Sequence, residues 1–299
     1  MIKYKMINLE FGHYPNKTED FFILSCGSDY RAYEVARKLI QKKISMEKII
    51  LINFKERENE LESYEKNSYY SYNDIFNDMN YLKIDCSITD PSSLIKSFDL
   101  FNKIDSNNVR ISLDISCFTK PYIFTLIKYF KDILKIIKLT IYYSEPMTYV
   151  FRSGLFNTYH STFGSLTISE VPGFPGNDTR SCEKILVVLL GFDGELSSFI
   201  FDEIAPNEII AINGFPGYAP KFKDISLINN EKLLINKKSE KSLMFVRANN
   251  PFETYNKLCE IKKLYSNSFI NLAPLGTKPM ALGACLYAIT DPSIKIVYP

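Results

Sequence analysis

The sequence predicts an α/β fold, two Rossmann-like parallel-sheet units in tandem, on three observations. Apolar runs of strand length alternate with segments of helical periodicity, the order of a parallel sheet covered by helices. Several of those runs are continuous, as in strands buried on both faces: residues 21–25 (FFILS) and 185–190 (ILVVLL) are examples. The tripeptide Thr-Lys-Pro recurs at Thr119-Lys120-Pro121 and Thr277-Lys278-Pro279, an offset of 158 residues in a chain of 299. Both copies follow an apolar strand and precede a helix, which predicts an internal duplication.

In the first half, strand 21–25 runs into the turn Cys26-Gly27-Ser28-Asp29. Residues 30–43 then carry Ala32, Val35, Ala36, Leu39 and Ile40 at helical spacing. Residues 47–54 read as a strand, 81–87 as another and 109–115 as a third. Residues 58–80 are polar and rich in Tyr and Asn, a helix or a long loop. Asp90-Pro91 opens a helix over 91–104, and Pro121 sits in the first turn of a helix over 121–137, where its missing N–H costs nothing. Residues 138–144 (KLTIYYS) close the unit.

The second half follows the same plan. Strand 185–190 leads into Gly191-Phe192-Asp193-Gly194 and a helix over 195–204. Strands follow at 208–213, 242–247 and 267–273, with a helix over 252–265. Pro279 opens a short helix before the last strand, 294–298. Asn271, six residues before Thr277, is read as taking the place of Asp114, five residues before Thr119. The predicted organisation is a first unit over 1–150, a linker over 151–182 rich in Pro and Gly, and a second unit over 183–299.

Composition bounds the function. Hydrophobic residues make up 46% and charged residues 23%, enough for large cores. Lys plus Arg is 36 against 34 for Asp plus Glu, so no net field draws the chain to nucleic acid or membrane. No apolar run approaches the roughly 20 residues of a membrane helix, and the N-terminus lacks a signal-peptide core. The six cysteines form no C-x-x-C pair and there are two histidines, His13 and His160, so no metal site is expected. Reduced cysteines on apolar runs point to a reducing compartment, and the cytoplasm is the expected place. A homo-oligomer is left open.

Ligands of parallel sheets bind outside the carboxyl ends of the strands, at topological switch points. Four turns fall there: 26–29, 116–120, 191–194 and 273–278. In the last, Gly276 and Thr277 open a helix whose unpaired amides suit an anion, and Lys278 adds a full charge. Thr119 and Lys120 offer the same in the first half. Both pairs are equally readable as helix caps with a solvated lysine. Gly27, Ser28 and Asp29 form a tight capping turn, and Gly191, Asp193 and Glu195 are its counterpart. Asp114, with Ser116 beyond it, suits a ribose hydroxyl, a proton transfer, a metal or a cap of the turn that follows. Asn213-Gly214-Phe215-Pro216-Gly217-Tyr218 is either a plain loop or a place to stack a base. The G-x-G-x-x-G, Walker A, G-x-S-x-G and H-E-x-x-H patterns are absent, so no cofactor is expected.

A strand ending in Asp, then a small or glycine-bearing turn and then Thr-Lys-Pro-Met opening a helix resembles the ligand loop of CRISPR-associated Rossmann-fold (CARF) sensor domains. Here it reads Asn271-Leu-Ala-Pro-Leu-Gly276-Thr277-Lys278-Pro279-Met280, with no Asp, and more loosely Asp114 to Pro121, with no glycine. The related SAVED sensors of prokaryotic antiviral systems resemble two such units fused, which suits a tandem chain. The resemblance implies a nucleotide or oligonucleotide second messenger held by the loops after the first and fourth strands. Those loops are Cys26 to Asp29 with Ser116 to Lys120, and Gly191 to Glu195 with Gly276 to Lys278. It also implies a separate effector protein, the chain acting as sensor or accessory subunit in antiphage defence. Two other readings stand beside it. One is an enzyme on a nucleotide or phosphorylated metabolite with Asp114, Asp193 or Glu195 as acid–base groups; the other is a protein-interaction scaffold.

Overall fold

The computed structural model describes residues 19–27, 29–57, 72–97, 109–135, 138–146, 167–177, 183–236 and 243–299. The chain divides into two compact units, Met1–Phe118 with Phe130–Glu145, and Thr119–Tyr129 with Pro146–Pro299. The architecture is α/β, with one sheet in each unit.

The first unit holds strands β1 (Glu19–Ser25), β2 (Met46–Phe54), β3 (Tyr81–Cys86), β4 (Arg110–Asp114) and β5 (Lys138–Tyr142). They pair in the order β3-β2-β1-β4-β5, every pair parallel. Phe22, Ile23 and Leu24 are all fully buried, so both faces of β1 are covered, as its unbroken apolar run requires. A 3-10 turn, Tyr30–Ala32, leads into α1 (Glu34–Gln41), whose Val35, Ala36 and Leu39 pack into the core with Phe22, Leu24 and Phe76. Phe76 ends α2 (Tyr72–Phe76); the rest of the Tyr/Asn-rich stretch, 58–71, lies outside the described residues. α3 (Pro91–Lys96) opens on Asp90, whose carboxylate accepts from the Ser92 N–H, with Pro91 in the first turn.

The helix after β4, α4 (Lys120–Asp132), is the exception to a simple division. Its residues up to Tyr129 count with the second unit. Phe124 meets the Phe174 ring edge-on at 5.5 Å, and Lys128 Nζ lies 5.2 Å from the centre of that ring.

The second unit holds β6 (Ser169–Pro175), β7 (Lys184–Leu189), β8 (Glu208–Gly214), β9 (Leu243–Val246), β10 (Phe269–Pro274) and β11 (Lys295–Tyr298). Their order is β6-β11-β10-β7-β8-β9, so β9-β8-β7-β10-β11 repeats the strand order of the first sheet. β6 is added antiparallel on β11. It lies inside the stretch read as linker, and its proline and glycine suit an edge position, where a missing ladder donor is tolerated. The sequence also gives no clear period for 218–236, which forms α6 (Pro220–Asn229) and α7 (Glu231–Asn236). α5 (Gly194–Ile204) and α8 (Pro251–Leu264) match their expected positions.

The helix at Pro279 is longer than expected: α9 spans Lys278–Thr290, 13 residues. Pro279 through Cys285, and then Tyr287 through Ile289, are buried, so α9 is apolar on nearly every side. It can lie close to α8 because Gly283 has no β-carbon; one there would stand 2.1 Å from the Pro251 carbonyl oxygen. Among the described residues, no helix is long and apolar enough to cross a membrane.

Candidate functional site

The strand orders place one switch point in each sheet, between β1 and β4 and between β7 and β10. The first strands leave their sheets in the same way. Cys26 N–H donates to the Ile52 carbonyl at 2.8 Å, and Leu190 N–H donates to the Ile212 carbonyl at 2.8 Å. Gly27 and Gly191 are therefore equivalent, and so are the caps Asp29 and Asp193 two residues on.

This equivalence corrects one reading of the sequence. Ser112 pairs with Phe22, and Asn271 pairs with Leu186, the equivalent of Phe22. Asn271 thus stands in the place of Ser112, not of Asp114. The position of Asp114 belongs to Ala273, because the second turn is one residue shorter.

At the first switch point the polar groups are bound into the turns. Asp114 and Ser116 are buried, 2% and 0% exposed. The Asp114 carboxylate accepts from the Ser116 backbone N–H at 2.9 Å and from its hydroxyl at 2.5 Å. The Ser116 hydroxyl in turn accepts from the Ser144 N–H at 2.8 Å. Asp29 accepts from the Arg31 backbone N–H and pairs with the Arg31 guanidinium through both carboxylate oxygens. Arg31 also donates to the Ser144 carbonyl. Burial disfavours the Arg31 charge, but the hydrogen bonds and charge of Asp29 outweigh it and raise its pKa. A β-carbon on Gly27 would meet Cys117 at an ordinary 3.5 Å. Ser28 lies outside the described residues.

At the second switch point the turns are packed tighter. A β-carbon on Gly191 would stand 2.3 Å from the Leu275 carbonyl oxygen, so only glycine lets the two turns approach. The Gly191 carbonyl accepts from the Ser226 hydroxyl at 3.0 Å and the Asn230 amide at 2.9 Å, tying the turn to α6 and the residue that follows it. Asp193 caps α5 by accepting from the Leu196 N–H. Glu195 is exposed in the first turn of α5.

The turn after β10 carries the charge. Thr277 is the N-cap of α9; its hydroxyl accepts from the Met280 N–H and donates to the Ala248 carbonyl at 2.5 Å. Lys278, half-buried, is the first residue of the helix. Lys120 joins it here, although the sequence assigns Lys120 to the first unit's loop. Its ammonium donates to the Leu275 carbonyl at 2.7 Å and lies 5.9 Å from the centre of the Tyr298 ring. Burial pushes the Lys120 pKa down to about 7, and the Lys278 charge pushes the same way. Burial likewise pushes the Tyr298 hydroxyl up to about 12, with Asp193 adding to the shift. The Thr119 hydroxyl is buried without a hydrogen-bond partner among the described residues.

Of the residues picked from sequence, Lys120, Gly191, Asp193, Gly276, Thr277 and Lys278 thus share the carboxyl edge of the second sheet. Gly27, Asp29, Asp114 and Ser116 share that of the first. Sequence reasoning missed Tyr298 and the Leu275 carbonyl as neighbours of Lys120, because nothing local links positions 155 residues apart. Among the described residues, no three His, Cys, Asp or Glu side chains are grouped to hold a metal ion. Compared with protein-family models and with curated proteins, the chain matches none.

Proposed function

We propose that the carboxyl edge of the second sheet binds a nucleotide or oligonucleotide second messenger through its phosphates. The observation that carries this reading is the meeting of Lys120 and Lys278. The Lys120 ammonium donates to the Leu275 carbonyl at 2.7 Å, three residues before Lys278, and the Lys278 charge disfavours that of Lys120. They stand beside the amide end of a 13-residue helix, where the backbone adds positive potential. A phosphate between them relieves the repulsion and restores the Lys120 charge.

Binding is favoured over acid–base turnover by what the carboxylates already do. Asp114 holds a turn and Asp193 caps a helix, so their oxygens are already engaged as hydrogen-bond acceptors. With the likeness of Gly276 to Met280 to the sensor loop, this reading makes the chain a sensor or accessory subunit of a prokaryotic antiphage system, with a separate effector protein.

The test is a thermal-shift panel on the full chain with mono-, di- and cyclic oligonucleotides, with ligands checked by mass spectrometry afterwards. A ligand that binds only folded protein raises the melting temperature. The expected result is a shift with intact ligand that disappears in Lys278→Ala. Consumption of the ligand supports the enzyme reading, and no shift from any compound overturns the proposal.

A further inference from the structure

Beside the lysine pair, on the same edge of the second sheet, lies a group of exposed aromatic rings. Phe215 is 49% exposed, Phe245 43% and Tyr218 37%. Phe215 and Tyr218 belong to the loop after β8, and Phe245 to the edge strand β9. Rings left this open carry a cost in water that a flat apolar occupant would relieve.

The rings are held, not loose. Phe215 meets Phe245 edge-on, with centroids 6.2 Å apart and planes at 76°. Its backbone N–H donates to the Val246 carbonyl. Lys223 Nζ lies 5.3 Å from the centre of the Phe215 ring. The Asn213 amide donates to the Lys223 carbonyl at 3.1 Å, fixing the start of α6 against the loop.

The loop is also wired to the phosphate-binding turn. The Pro216 carbonyl accepts from the Ala248 N–H at 3.0 Å, and the Ala248 carbonyl accepts from the Thr277 hydroxyl. The Met280 sulfur lies 3.2 Å from the β-carbon positions of both Gly214 and Gly276. Two hydrogen bonds and one side chain thus link the aromatic loop to the turn that opens α9, which carries Lys278.

We infer that Phe215, backed by Phe245 and flanked by Lys223, is a stacking platform for a nucleobase of the ligand whose phosphate Lys120 and Lys278 hold. The inference rests on the phosphate-binding reading above and adds the base to it. A nucleobase is the occupant that matches the chemistry: a flat π-face for Phe215, on a chain whose charge is placed beside two lysines. Every base has such a face, so the platform is tolerant of base identity.

The test uses the full chain and two probes, 5′-phosphorylated diadenylate and the same phosphodiester backbone with both bases removed. Affinity is measured by calorimetry. The parent is expected to bind the base-bearing probe on the order of 10-fold or more tightly than the abasic one, within the range that stacking supplies. Phe215→Ala, with its fold checked by thermal melting, is expected to remove most of that difference between the probes. Phe215→Trp is expected to keep it. Equal binding of both probes by the parent, or a preference that survives Phe215→Ala, overturns the platform while the phosphate site stands. Binding of neither probe overturns both readings.

Discussion

The carbonyl oxygen of Leu275 lies 2.3 Å from the point where a β-carbon on Gly191 would be. That oxygen also accepts the Lys120 ammonium. One atom therefore brings together the turn after β7, the turn after β10 and the buried lysine, and the absence of a side chain at Gly191 makes this possible. Gly191→Ala must push the turns apart. It is expected to destabilise the protein by about 1–3 kcal/mol, the usual cost of overpacking, and to weaken phosphate binding along with it. Chemical denaturation and calorimetry of the same variant check both effects.

Lys120 makes stability depend on pH. Its pKa falls from 10.5 to about 7 on folding. Between those values the unfolded chain binds a proton that the folded chain does not, so its contribution makes stability rise with pH. Below about pH 7 both states are charged and that contribution is flat. The slope approaches about 1.4 kcal/mol per pH unit within the window. Denaturation of the parent and of Lys120→Met at pH 6 to 9 isolates it: the parent gains on the variant as pH rises, and identical profiles refute the burial of that charge. Anion binding needs the charged form, so affinity is expected to fall above pH 7 in the parent.

Thr277 joins the start of α9 to Ala248 through one hydroxyl. Thr277→Val keeps the shape and removes both bonds. The expected loss is about 1–2 kcal/mol of stability, in the range for an N-cap, while Thr277→Ser retains most of it. Guanidinium melts of the two variants decide.

Gly283 marks the close approach of α9 to Pro251 and Thr254 of α8. Alanine there would bring a β-carbon to 2.1 Å from the Pro251 oxygen and 2.8 Å from Thr254 Cβ. Although alanine is the better helix former by about 1 kcal/mol, Gly283→Ala is expected to lower the melting temperature, because steric repulsion exceeds the propensity gain. A rise in melting temperature would show that the helices part easily.

Asp114 is expected to matter for folding more than for ligand. Asp114→Ala strands the buried Ser116 hydroxyl and the loop it holds, at a cost of about 1–3 kcal/mol. If the variant remains folded, its affinity for a ligand of the second sheet should match the parent's. Loss of affinity with full stability would place Asp114 in a binding site instead.

The alternation of elements and the two-unit α/β class are legible in the residues alone. Runs such as FFILS and ILVVLL have one stable use, a strand covered on both faces. Asp90-Pro91 and Thr277-Lys278-Pro279 announce helix starts through local capping chemistry. Gly191, Thr277 and Lys278 are likewise legible as edge residues, since a strand end and a helix start are local features. The remaining features depend on contacts between distant segments. β6 has no period of its own and is a strand only because β11 offers an open edge. The register between β7 and β10 replaced Asn271 by Ala273 as the counterpart of Asp114, since a one-residue change in turn length is invisible until the ladders pair. Lys120 came to stand beside Lys278 through packing of α4 within the second unit. Its depressed pKa follows from that burial and that neighbour, neither of which is written in the residues adjacent to it.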